Sequence, residues 1–465
     1  MRITHIRNIF LPVAAALLTV TPLSAQQLTA EPQAGEEVMD EETVSDVEDD
    51  DRDVRENIVI IPDEADDIDI PVPSFIRTAS NRIIYNGADW SKLREAFQSS
   101  ASSPVSIVHI GDSHIQADIS TGTTRELLQY DFGNAGRGII SPLKLSGTNQ
   151  PTDYSFSSSG SWIPNKLMSS SWRQTVGFTG LSIRPTTSNG SFTVATSGRD
   201  DYNPFSSVTI FHSGRLSVNN VTTADGTKLQ HRAIPSRDYT QIILPTQETE
   251  ITVHFSSAGD LTLFGASLSG GRPGVFYHAI GNNGAAYETY NRIGNVGVGI
   301  NPLQPNLVII SLGTNEAFGK LDTRAFTRSI DRLVKNITTA NPDALILLTT
   351  PQECQRSVTT TKKVRVKGKA RKGRKARYRT VNRSVRSYAV NRNIAPLRQA
   401  ILDYGKENGI AVYDWYDVAG GSGSSTTWIN NGLFAKDRVH HTHKAYNLEG
   451  RLLYEAIMDS LRDNK

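Results

Sequence analysis

Five short apolar runs recur along the chain, each closing on glycine or polar residues: Val105–Ile110, Val275–Ile280, Leu307–Leu312, Ala344–Thr349 and Ile410–Tyr413. Between them, apolar residues return at helical spacing. Phe326, Ile330 and Leu333 fall at i, i+4 and i+7, and Ile394, Leu397 and Ile401 repeat that spacing. Leu448, Leu452, Leu453 and Ile457 mark a last helix. Strands without polar alternation, interleaved with amphipathic helices, predict a parallel α/β sheet. Residues 151–271 break this pattern. They are rich in Ser, Thr and Gly and alternate with period two, as in Phe192-Thr-Val-Ala-Thr, Ser207-Val-Thr-Ile-Phe and Ile251-Thr-Val-His-Phe. That texture predicts a β-sandwich. It interrupts the α/β pattern after the first strand–helix unit, so it reads as a domain inserted between 76–150 and 272–465.

The chain has 465 residues, long enough for two modest domains with real cores. Its single cysteine, Cys354, excludes a disulfide framework and a Cys-rich zinc module. The net charge of +2 hides two opposed runs. Residues 31–70 hold 18 acids against Arg52 and Arg55, a net of −16, whereas 356–392 hold 15 Lys and Arg and no acid. The acidic run, within 26–75, reads as a disordered linker with too little apolar surface to offset its ordering entropy. The basic run interrupts a connection that is normally short and reads as an exposed hairpin or loop, a surface for an anionic polymer or for the acidic linker. Nucleic acid is not expected, since no groove-reading motif accompanies the charges. At the N-terminus, Arg2 and Arg7 precede an apolar run, Ile9 to Val20, and then Pro22-Leu-Ser-Ala25. This is the pattern of a signal peptide over residues 1–25, and the apolar run is too short to span a bilayer. An exported protein with one cysteine suits a bacterial periplasm or cell surface.

Candidate chemistry lies in four blocks, each except the last directly past a predicted strand. Ile110-Gly-Asp-Ser-His114 puts Ser113 at a strand's C-terminal end, where α/β folds bind ligands. Ala279-Ile-Gly-Asn-Asn-Gly-Ala285 lets a backbone N–H come close to a substrate at Gly284. Ser311-Leu-Gly-Thr-Asn-Glu316 offers the Asn315 amide at the same edge. Asp437-Arg-Val-His440 spaces an acid three residues before a histidine, so Asp437 can fix the ring tautomer and turn Nε2 toward a nucleophile. His441 and His443 lie close by, but no acidic or cysteine ligand at metal-site spacing joins them, and no metal or cofactor is expected. Asp112 is expected to brace its turn, His114 to pack locally, and Cys354 to be inert.

In this order and at these strand ends, the blocks resemble the SGNH (GDSL-type) hydrolases. The resemblance implies a flavodoxin-like three-layer α/β/α sandwich with a five-stranded parallel sheet. It implies Ser113 as nucleophile, His440 as general base and Asp437 as its orienter. It also implies an oxyanion hole from the N–H groups of Ser113 and Gly284 and the side chain of Asn315. Glu316 departs from the pattern, which usually has Asp there. Gly111-Asp-Ser-His-Ile-Gln-Ala-Asp118 and Phe132-Gly-Asn-Ala-Gly-Arg-Gly138 are similar, more narrowly, to bacterial peptidoglycan O-acetylesterases, which carry a carbohydrate-binding-module-like sandwich inserted at this point. The expected activity is removal of O-acetyl groups from a cell-wall glycan, peptidoglycan above all, through an acetyl-enzyme. The alternatives are an acetylesterase for another polysaccharide and a non-catalytic glycan-binding protein. Trp162, Trp172, Tyr202 and Phe205 in the insert are candidates for stacking on sugar rings.

Overall fold

The computed structural model describes residues 71–197, 203–367 and 378–462. The expected signal peptide, residues 26–70 of the linker, Tyr202 and the basic stretch 368–377 lie outside the described residues.

The central sheet has six strands in the order Ile83–Ile84, Ala411–Tyr413, Leu345–Thr349, Leu307–Ser311, Val105–Gly111 and Val275–Gly281. The short Ile83–Ile84 strand pairs antiparallel at one edge, and the other five run parallel. In chain order the parallel strands read 2-1-3-4-5, the doubly wound order. The order reverses at Val105–Gly111, the strand that leads into Ser113. Every residue of that strand is buried, the polar Ser106 and His109 included.

One group of helices joins Ser91–Gln98, Ser120–Phe132 and His443–Arg462; the other joins Tyr287–Asn291, Val296–Ile300, Thr323–Ala340 and Ile394–Asn408. In Thr323–Ala340 the buried residues are Phe326, Ile330, Leu333, Val334 and Ile337, a single helical face. The linker range reaching to 75 overlaps this body, because Val72 and Phe75 pack against its core.

A second core belongs to two antiparallel sheets. One runs Arg232–Pro235, Tyr239–Glu248, Phe205–Ser213, Thr262–Ser269, Leu181–Pro185, Trp162–Lys166. The other runs Tyr154–Ser157, Asn189–Thr196, Glu250–Ser256, Ser217–Thr222. In Glu250–Ser256 alternate residues are buried, the period-two signature. The short strand Gly138–Ile140 pairs with Thr262–Ser269, so the sandwich recruits a strand from ahead of residue 151. Phe205 is fully buried in this core and cannot stack on a sugar. Its strand position points inward, which aromatic content alone does not reveal. Trp172 lies under the Arg292 guanidinium, 4.6 Å from its ring centre.

The basic run forms a separate two-stranded antiparallel ribbon, Gln355–Lys367 against Tyr378–Val390. Cys354, at its root, is buried, and burial pushes its thiol up to about 12.

Candidate active site

The first block folds as strand, tight turn and short helix. Asp112 caps the helix Ser113–Gln116 by accepting from the His114 N–H at 3.0 Å. This places half-buried Ser113 at the helix start, just past the sheet edge. The fourth block folds back on itself. Asp437 Oδ1 accepts from the N–H groups of Val439 and His440 at 3.0 and 3.1 Å. Its other oxygen, Oδ2, then meets His440 Nδ1 at 2.5 Å. His440 Nε2 lies 2.7 Å from Ser113 Oγ. A carboxylate at Nδ1 fixes the proton there, so Nε2 accepts and the serine hydroxyl donates.

Burial alone would raise the Asp437 carboxyl, but the His440 bond and the two N–H groups outweigh it and hold it below its ordinary value. It therefore stays charged through neutral pH. Asp112 differs: burial pushes its carboxyl up to about 7.

The second and third blocks close on the same edge. Gly284 has φ +76°, a left-handed conformation that favours glycine. Gly281 permits a close crossing, since a Cβ there would lie 2.0 Å from the Gln116 backbone nitrogen. Among the described residues, neither the Ser113 nor the Gly284 backbone N–H makes a backbone hydrogen bond. The Asn315 amide sits between acceptors: Nδ2 donates to the Ala285 carbonyl at 2.9 Å and to Asp112 Oδ2 at 3.2 Å. Glu316 turns inward, accepts from the Tyr287 N–H at 2.8 Å and is pushed up to about 7 by burial. His114 meets the Tyr446 hydroxyl at 3.1 Å through Nδ1, and burial holds its ring well below the usual histidine range.

The structure also shows side chains whose work the blocks do not announce. Gln116 accepts from the Asn283 N–H at 2.7 Å and donates to Asn149 Oδ1 at 2.8 Å, so it props the Gly284 turn from beneath. Tyr290 donates to the Gly111 carbonyl at 2.8 Å and receives a bond from Asn282, tying the first turn to the second. Asp118 and Arg137 form a buried ion pair extended by Arg125 and Asp153. Arg438, inside the fourth block, has φ +61°, unusual for a side-chain-bearing residue. Its guanidinium lies 4.2 Å from the Tyr388 ring centre and donates to Gln355 Oε1 at 2.8 Å. Gln116, Asp118 and Arg137 fall within the longer sequence runs around the first block. The Arg438 contacts have no sequence signal.

Residues 257–448 match the GDSL-like lipase/acylhydrolase family. That span contains Gly284, Asn315, Asp437 and His440 but begins after Ser113, which the geometry alone brings to His440. Over that span the chain is similar to GDSL-like acylhydrolases, and it is a carboxylic ester hydrolase. Its fold is similar to a solved structure of a peptidoglycan O-acetylesterase, with a TM-score of 0.62 at 21% identity, covering 82% of this chain and 99% of the other. A lipase/acylhydrolase from Enterococcus faecalis matches at TM-score 0.27 and 16% identity over 40% of this chain and 78% of its own. A carbohydrate esterase family 3 protein from Talaromyces cellulolyticus matches at 0.26 and 15% over 42% and 76%. No curated protein sequence matches this hydrolase.

Proposed function

We propose that this hydrolase is an exported acetylesterase that removes O-acetyl groups from a cell-wall glycan, with peptidoglycan as the substrate. One observation carries the chemistry: His440 bridges Asp437 and Ser113 at 2.5 and 2.7 Å, and among the described residues the Ser113 and Gly284 N–H groups make no backbone hydrogen bond. In this reading Ser113 Oγ attacks the ester carbonyl as His440 Nε2 takes its proton. The oxyanion is met by the N–H groups of Ser113 and Gly284. Asn315 joins them by giving up its longer bond, the one to Asp112. His440 then protonates the departing sugar hydroxyl, leaving acetyl on Ser113. Water, deprotonated by His440, releases acetate and restores the serine. Asp437 keeps the ring oriented and balances the imidazolium.

The glycan is supported by the likeness in fold to the peptidoglycan O-acetylesterase over nearly all of that protein's length. Export is supported by Arg2, Arg7 and the Ile9–Val20 run before Ala25. Acetate release is the test. The native chain should free acetate faster from O-acetylated peptidoglycan than from acetylated xylan, and Ser113→Ala should free none. Preference for xylan would move the substrate to another polysaccharide, and acetate release by Ser113→Ala would remove the proposed nucleophile.

A further inference from the structure

The ribbon Gln355–Lys367 and Tyr378–Val390 carries eight Lys and Arg and no acid. Thirteen residues per strand make it about 40 Å long at roughly 3.3 Å per residue. Among the described residues its two strands pair only with each other. Such a ribbon is marginal in water without a partner. Its charges make this worse, because Lys362 lies directly opposite Arg383 and like charges across a strand pair repel. On that face valines 364, 381 and 385 separate the cations; on the other, Lys363, Arg365 and Arg386 stand among hydroxyl side chains. Arg365 is braced over the Tyr378 ring at 4.8 Å. Both faces therefore present spaced cations, and nothing on the ribbon neutralises them.

The root is built into the catalytic edge. The Gln355 N–H donates to the Arg438 carbonyl at 3.0 Å, and Arg438 returns a bond to the Gln355 side chain and lies over Tyr388. Arg438 sits between Asp437 and His440 in the chain. The ribbon's root is thus bonded to the residue two positions before His440.

We propose that the ribbon is a binding arm for a linear, carboxylate-bearing glycan, which it holds along its length and leads to Ser113. A small anion would satisfy one or two cations, whereas a polymer bearing regular carboxylates satisfies the row at once and gains by multivalency. A neutral acetylated polysaccharide gains nothing from it. The proposal rests on the acetylesterase reading and narrows its substrate to anionic polymers.

Co-sedimentation of the full chain with purified peptidoglycan sacculi tests it. Native protein should pellet at about 0.05 M NaCl and be released at about 0.5 M, as screening shortens the reach of exposed charges. Amidating the sacculus carboxylates should weaken binding about tenfold or more. So should the combined variant Lys362→Gln, Lys363→Gln, Arg365→Gln, Arg383→Gln and Arg386→Gln, checked for an unchanged circular dichroism spectrum. Undiminished binding to amidated sacculi, which involves only the native chain, would overturn the arm. So would a variant that pellets like the native protein, or sacculi that fail to bind while duplex DNA does. Pelleting needs no turnover, so failure here leaves acetate release by the native chain as a separate result.

Discussion

The two turns that meet at the candidate active site are held differently. The Ser113 turn is braced from inside: Asp112 caps it, Tyr290 and Asn282 bind it to the neighbouring turn, and Gln116 supports the Gly284 loop from below. The Asp437–His440 turn is braced by its own Asp437 carboxylate and, in addition, from outside, by a left-handed Arg438 pinned between Gln355 and Tyr388 at the root of the ribbon. One half of the site is fixed by the core that folds it. The other adds to its own hydrogen bonds a contact with the root of an exposed ribbon.

Breaking either turn at its proposed reacting group should give the largest effect. Ser113→Ala or His440→Ala should lower kcat on p-nitrophenyl acetate by about 10⁴-fold or more, with the fold retained. Asn315→Ala comes next, at about 10²–10³ in kcat, the usual cost of one oxyanion donor. A loss below about threefold would mean that Asn315 only braces Asp112 and Ala285.

Arg438 sharpens the contrast. If the ribbon root holds a strained turn, Arg438→Ala should cost about tenfold in kcat with little change in KM, since about 1.4 kcal/mol corresponds to a factor of ten. Arg438→Gly, which tolerates positive φ, should recover part of that loss. Equal losses would assign the work to the guanidinium, and no loss in either would free the turn from the ribbon. Kinetics on p-nitrophenyl acetate decide among the three.

The smallest effect concerns the inside brace. Burial pushes Glu316 up to about 7, so the folded chain keeps a proton there that the unfolded chain loses near its ordinary value. The group therefore lowers stability as pH rises from about 4.5 to about 7, and its contribution is constant above. Thermal melts of Glu316→Gln against the native chain should show a difference that grows in the variant's favour over that window and then levels. A pH-independent difference would mean that Glu316 is ionised when folded.

Much of this was legible in the chain because it is local. The five strands announce themselves as apolar runs, and their ends carry the blocks. Asp437 and His440 sit three residues apart, so one turn brings them together. Gln116 and Asn283 are 167 positions apart, and Arg438 and Gln355 are 83 apart. No periodicity connects such pairs, and only the folded sheet edge does. Phe205 failed as a sugar platform for a related reason: aromatic content is visible in sequence, but which face of a strand it occupies is set by partners far along the chain. The ribbon is an intermediate case. Its alternating valines signal a strand, while the density of charge equally fits an open loop.

The central claim is that Ser113 carries the acyl group, and trapping the intermediate tests it most directly. Native protein mixed with p-nitrophenyl acetate and quenched in acid during the first turnovers should yield one acetyl group, on the peptide that contains Ser113. The same peptide from Ser113→Ala should carry none. An acetyl group found on another residue, or full turnover with no acetyl-enzyme at any quench time, would contradict the account.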